Sequence, residues 1–355
     1  MRITDIVIDF INNNQCDGIC FVSPINRYWY TSFSSSFGFL FVNKLGKSIF
    51  ITDSRYFLEA QSSCHNVDEV RILDNSLLDC LDTIIKDLKI NKCIVEQDYL
   101  SLNDYLLLGK LFSQDCIKIS NTSQLRSIKS FDDIQKLQIA ADIAALTIET
   151  IKQETLIGKT EIEIARMIDI TMLKMGAEKN SFDTIVASGI NTASPHHRPT
   201  NKIIEDGDMV MIDIGCVYDN YCSDITRSFI VGNKNKTHPE LIKIWDVVYK
   251  AQQAAINALV NGISGSKIDD IARTIISSAG YGGYFKHALG HGVGLEVHEH
   301  PNLSPKSQDV IENGTVFTIE PGIYVPGLGG VRIEDTLVFN NNGSKILTIK
   351  SSKEI

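Results

Sequence analysis

The 355-residue sequence has no run of 18 apolar residues, which excludes the continuous segment a membrane-crossing helix needs. It has no basic excess: 34 Lys and Arg face 43 Asp and Glu, a formal net charge of −9. That balance argues against sequence-independent binding to nucleic acid or an anionic membrane surface. Paired cysteines are lacking too: the eight, at 16, 20, 64, 80, 93, 116, 216 and 222, are scattered and form no CxxC. The opening MRITDIVIDFINNN carries Asp5 and Asp9 in its apolar stretch, so it reads as an amphipathic helix rather than an export signal. Free thiols in a reducing cytoplasm are therefore expected. Two suggestive patterns fail as motifs. Gly290-x-Gly-x-Gly opens no plausible helix, so it is no dinucleotide loop, and His298-Glu299-His300 is not HExxH.

What is present is the composition of a folded chain, 43% apolar and 22% charged, with length for about two domains. Within residues 1–125, Gly18–Pro24, Gly38–Asn43, Ser48–Thr52 and Cys93–Val95 read as short buried strands. Ser76–Lys89 has apolar residues at 77, 78, 81, 84, 85 and 88, one face of a helix. The order predicts an α/β unit with a mostly parallel sheet covered by helices. At least two of Tyr28, Trp29, Tyr30 and Phe33 are expected in its core.

A boundary near residues 126–130 gives domains 1–125 and 126–355. In the second, Phe131–Glu154 reads as a long helix, and Thr160 with Glu163 as a capping box opening a helix that ends at Gly176. Strands are expected at Asp208–Val217 and Asp224–Val231. The order recurs: helix His238–Val260, a second capping box from Ser266 to Asp269, a helix ending near Gly280, and strands Gly314–Glu320 and Val331–Phe339. Two copies of a helix–helix–hairpin unit are expected, with acidic residues at matching places: Asp213 with Glu320, Asp224 with Glu334.

These acids carry the chemistry. Asp213 is the one charge in MVMIDIG, and Asp224 opens the next strand. If the turn centres on Asp219-Asn220, Asp213 faces Thr226 and Asp224 is its diagonal neighbour on the same face. Carboxylates converging on an apolar face need protons or cations between them. With Glu320, Glu334 and His291, set in the glycine-rich GHGVG, four carboxylates and one imidazole suit two divalent ions. Taken singly, each residue also fits a strand-end or loop role. Cys216 and Cys222 are expected to serve as small apolar packing.

SGINTASPHHRPT (188–200), GDMVMIDIGCVYDNYCSDITR (207–227), LGHGVGLEVHEHP (289–301) and TIEPGIYVPGLGGVRIED (318–335) together resemble metallopeptidase family M24, its Xaa-Pro aminopeptidases and prolidases. NRYWYTSF (26–33) and ITDSRYFLEA (51–60) extend the likeness more loosely. The resemblance implies a creatinase-like α/β domain before a duplicated "pita-bread" catalytic domain. It implies metal ligands Asp213, Asp224, His291, Glu320 and Glu334 for two divalent ions, Mn²⁺ foremost, with Co²⁺, Zn²⁺ or Fe²⁺ as alternatives. Glu320 would act as general base. His196, His298 and Arg332 would contact substrate, with His287 a lesser candidate and His197 a bystander. Substrates would be short peptides with proline second, and the enzyme a homodimer. Asn220 replaces a frequent family Gly, but Asn tolerates the left-handed conformation. A methionine aminopeptidase shares the ligand set without the preceding domain; a non-catalytic relative would have lost ligands.

Overall fold

The computed structural model describes residues 2–355, in two compact units divided between Arg126 and Ser127. The first is built on a six-stranded sheet: β1 (Gly18–Phe21), β2 (Phe39–Asn43), β3 (Ser48–Thr52), β4 (Glu69–Ile72), β5 (Cys93–Glu96) and β6 (Ile117–Ser120), ordered β4-β3-β2-β1-β5-β6. Strand side chains alternate between two clusters. Ile19, Phe21, Leu40 and Phe50 pack on one face, and Cys20, Phe41, Ile49 and Ile51 on the other. Burial on both faces explains why these strands read as unbroken apolar runs. Tyr30 and Phe33 lie in the first cluster.

The sheet is mostly parallel, as expected, but two of its five pairings are antiparallel. β3–β4, β1–β5 and β5–β6 are parallel, whereas β1–β2 and β2–β3 are antiparallel. The turn between β2 and β3 spans only residues 44–47, with Gly46 at φ +83°. A parallel pair needs a crossover of a dozen residues or more, so this connection dictates a hairpin.

In the second unit, helices Phe131–Lys152 and Glu161–Lys174 begin with capping boxes, Ser130 with Asp133 and Thr160 with Glu163. They cover the hairpin of strands Met209–Ile214 and Ile225–Ile230. Helices Pro239–Asn257 and Gly265–Ser278 cover the hairpin of Val316–Ile319 and Asp335–Asn340. The second helix cap is Ser264, which accepts from the Lys267 N–H, not Ser266. Asp269 is drawn off to Arg273 (2.7 Å) and the Leu289 N–H (3.1 Å), so it completes no box. The long strands expected at 208–217 and 331–339 each break in two. Met209–Ile214 is followed by Cys216–Tyr218 in another sheet, and Gly329–Arg332 and Asp335–Asn340 likewise belong to different sheets. The breaks fall beside the acidic residues. Gly215 sits at the first, where a Cβ would meet the Ser223 carbonyl. Among the described residues no helix is long and apolar enough to cross a membrane.

Candidate metal centre

The register places the acids as the turn predicts. Asp219 and Asn220 have φ of +45° and +68°, and Thr226 pairs directly with Asp213. Asp224 precedes the strand, between Cys222 and Ile225. The two hairpins are stitched reciprocally at this level. The Thr226 hydroxyl donates to Glu334 Oε2 (2.6 Å), and the Thr336 hydroxyl donates to the Asp224 carbonyl (2.7 Å). The buried Arg227 guanidinium also donates to the Glu334 carbonyl and, at 2.8 Å, to Asp335.

His291 is fixed from three sides. Its N–H donates to Thr318 Oγ1 (3.1 Å), and Nδ1 donates to the Gly292 carbonyl (3.1 Å). Nε2 then faces Glu320 Oε1 (3.3 Å) and Asp224 Oδ2 (3.6 Å). A ring nitrogen held by backbone leaves the other aimed and basic, the usual preparation of a metal-binding imidazole. The glycines flanking it serve the protein's own backbone: a Cβ on Gly290 would meet the Thr318 carbonyl, and one on Gly292 the His300 carbonyl. Gly292→Ala is expected to lower stability by about 1–3 kcal/mol, because no flexible side chain can yield there. Urea denaturation of the metal-free variant measures this; an unchanged midpoint would refute it.

One donor atom each from Asp224, His291 and Glu334 lies within 4.8 Å of the others. Burial, then the neighbouring carboxylates, push Asp224 and Glu334 well above the usual carboxylate range. Asp213 is raised by burial and partly relieved by Arg332. Burial would raise Glu320 too, but its hydrogen bond to His291 and nearby cationic groups hold it low; burial would lower His291, but that bond, the Glu320 and Asp213 charges and the Gly292 carbonyl together raise it. Asp213 Oδ1 is buried with no hydrogen-bond partner among the described residues. A buried set of carboxylates that repel one another, with an orphaned oxygen and one oriented imidazole, fits divalent cations of oxygen and nitrogen preference.

Arg332 forms the floor beside this cluster. It donates to Asp213 Oδ2, Thr226 Oγ1 (3.0 Å), the Pro195 carbonyl (3.1 Å) and the Tyr324 hydroxyl (2.8 Å). Four of a guanidinium's five N–H groups are thus engaged inside the protein. Tyr324 also meets His287 Nε2 (3.0 Å), and its phenol is pushed up to about 12, chiefly by burial. The His298 ring stands edge-to-face on His291, centroids 4.3 Å apart. His196 is exposed, next to Pro195, and close enough that its charge disfavours protonation of both His287 and His298. Desolvation is the larger cause in both, so these two imidazoles are biased to the neutral form. All nine candidate residues therefore come together, acids and Arg332 beneath, His196 and His298 at the rim.

His197 turns away to Glu161 (2.8 Å). Cys216 and Cys222 donate to the Ala140 and Leu295 carbonyls (3.4 and 3.6 Å), and burial lifts their thiols to about 11 and 12. Both act as buried packing. Sequence reasoning placed Thr226 opposite Asp213 without giving its hydroxyl a role, and it missed Tyr324, which read as an ordinary strand residue. The usable signal was that a buried Tyr needs a partner for its hydroxyl.

A carboxylate-rich centre shared by two copies of one helix–helix–hairpin unit defines a metal-binding architecture. Residues 135–341 match the model of metallopeptidase family M24, and residues 5–128 match the creatinase/prolidase N-terminal domain. The chain belongs to metallopeptidase family M24. It is 36% identical over 352 residues to the Xaa-Pro dipeptidase of Pyrococcus furiosus, covering 98% of each chain. Among solved structures it is similar to an Xaa-Pro dipeptidase from Bacillus anthracis, with TM-score 0.92, 36% identity and coverage of 99% and 98%. An X-Pro aminopeptidase from Thermotoga maritima gives TM-score 0.84 and 34% identity, with coverage of 96% and 98%.

Proposed function

We propose that this metallopeptidase hydrolyses the bond between a first residue and a proline in second position, in dipeptides or short peptides. The observation that carries the reading is the buried cluster of Asp213, Asp224, His291, Glu320 and Glu334, with Asp224, His291 and Glu334 already within chelating reach. The names of the similar dipeptidases and aminopeptidase support the substrate class.

In this reading those five residues hold two divalent ions, Mn²⁺ first by the oxygen-rich donor set, with Co²⁺, Zn²⁺ or Fe²⁺ able to replace it. Such ions supply Lewis acidity to the scissile carbonyl and make water a stronger acid. Glu320 accepts a proton from the attacking water and returns it to the leaving proline nitrogen. His298, held neutral at the rim, donates a hydrogen bond to the carbonyl oxygen as charge develops there. His196 and His287 line the substrate pocket. Arg332 has at most one N–H left for substrate, so its main part is to hold Asp213 and Tyr324. A proline amide has no N–H, so a site that grips the amine, carbonyl and ring suits it. Domains 1–125 and 126–355 are read as the creatinase-like and catalytic domains. A homodimer follows the family resemblance, and a cytoplasmic location is supported by eight free thiols.

Metal-stripped protein given Mn²⁺ is expected to release alanine from Ala-Pro, Ala-Pro-Ala or both, and to leave Met-Ala-Ser intact. Ala-Pro alone marks a dipeptidase; faster cleavage of the tripeptide marks an aminopeptidase. Cleavage of Met-Ala-Ser alone would overturn the proline reading in favour of a methionine aminopeptidase. Inertness with metal bound would favour a non-catalytic relative.

A further inference from the structure

Glu161, the first residue of its helix, is a carboxylate with no solvent exposure. Every side-chain hydrogen bond it accepts comes from one segment, residues 188–200. Oε1 accepts from the Ser188 N–H (2.8 Å), the Ser188 hydroxyl (2.9 Å) and the Asn191 amide (3.0 Å). Oε2 accepts from the Thr200 N–H (3.0 Å) and hydroxyl (2.7 Å) and faces His197 Nε2 at 2.8 Å. Six donors around one carboxylate exceed its roughly four lone-pair sites, so it is saturated. The set keeps the carboxyl ionised: burial opposes charge, but the bonds from His197, Thr200 and Asn191 outweigh it.

The segment so gathered is the one that carries His196 to the rim and offers the Pro195 carbonyl to Arg332. Its two ends, Ser188 and Thr200, are pinned to the two oxygens of the same carboxylate. Backbone bonds from Glu161 and Ile162 to the Lys202 and Thr200 carbonyls secure only the exit of the loop. Across 188–197, the carboxylate is the main anchor on that helix.

We infer that Glu161 is a positioning residue for the reaction: its carboxylate cinches the 188–200 loop and thereby sets where His196 stands over the substrate. The inference rests on the reading that His196 lines the substrate pocket. It requires the negative charge, since an amide in either orientation would turn its NH2 toward a backbone N–H, that of Ser188 or that of Thr200.

The test uses the Mn²⁺-loaded protein with Glu161→Gln and, as a milder variant, Thr200→Val, which removes one donor. Glu161→Gln is expected to lower kcat/KM about ten- to hundredfold for whichever of Ala-Pro and Ala-Pro-Ala the wild type cuts faster, as for a displaced positioning group. Thr200→Val should lower it less, and bound metal should stay at the wild-type ratio in both. Amide hydrogen exchange should quicken across 188–200 and not in the metal-bearing hairpins. In the His196→Ala background, Glu161→Gln should cost almost nothing further, because coupled residues do not add. Unchanged exchange across 188–200, or a full multiplied loss in the double variant, would overturn the inference. If Glu161→Gln does not fold, Thr200→Val decides by the same readouts. If the wild type cuts neither Ala-Pro nor Ala-Pro-Ala, the proposed function fails, and the exchange measurement still judges the loop.

Discussion

Asp224→Asn is expected to abolish metal-dependent hydrolysis, lowering kcat/KM by about 10³-fold or more, while making the metal-free protein more stable. Both effects share one origin. Burial, and then the nearby Glu334, Asp213 and Glu320, hold the Asp224 carboxyl well above the usual range. A cation turns that repulsion into ligation, and the several kcal/mol of transition-state stabilisation a divalent ion supplies is lost without it. In the metal-free protein the repulsion stands alone, and an amide removes part of it. The pH dependence follows in sign. Because the folded pKa values of Asp224 and Glu334 are raised, both folded and unfolded states are protonated below about pH 4 and no penalty applies. As pH rises from there, the unfolded chain releases its protons first, and the folded state loses stability until its own raised values are passed. Thermal unfolding of the stripped wild type between pH 4 and 8 should show this fall, and Asp224→Asn should flatten it. Equal slopes, or full activity in the variant, would sink the metal assignment.

Arg332→Met is expected to be the costliest single change for the metal-free fold, at about 3–5 kcal/mol. Removing one partner of a buried ion pair strands the other, and Asp213 already has one unpartnered oxygen. Three more acceptors, on Thr226, Pro195 and Tyr324, would lose their donor. Arg332→Lys should recover little, since an ammonium cannot reach four acceptors set around a planar fork. Denaturant unfolding of the stripped proteins measures both. A midpoint for Arg332→Met within error of the wild type would show that Arg332 is not the counter-charge the geometry makes it.

Much of the site was legible because strand pairing obeys a period of two. Once Asp219-Asn220 was taken as the turn, the pairing of Asp213 with Thr226 and the nearness of Asp224 followed by counting. The four-residue turn between β2 and β3 was equally visible; the α/β alternation around it suggested the mostly parallel sheet that is present, while the short connection decides the antiparallel β2–β3 pair. The strand breaks at Gly215 and Ile333-Glu334 were not read from the sequence: Ile214, Cys216 and Val217 continue the apolar run around the first, and the alternation of Val331, Ile333 and Leu337 with polar residues continues the strand pattern through the second. The cap at Ser264 was hidden by Ser266, two residues on, with an acid at the right distance. Arg332 was found, but the fact that its donors are spent within the protein depends on residues brought from positions 195, 213, 226 and 324.

The reciprocal stitching of the two hairpins bears on ancestry. One half brings Asp213 and Asp224; the other brings His291, Glu320 and Glu334. Neither half alone offers more than two carboxylates, and each leans on a threonine hydroxyl from its opposite number. A forerunner with a single copy would have needed a twin to assemble the same cage. Joined in one chain, two such halves need not stay identical, and these are not: the first supplies two aspartates, the second two glutamates and an imidazole.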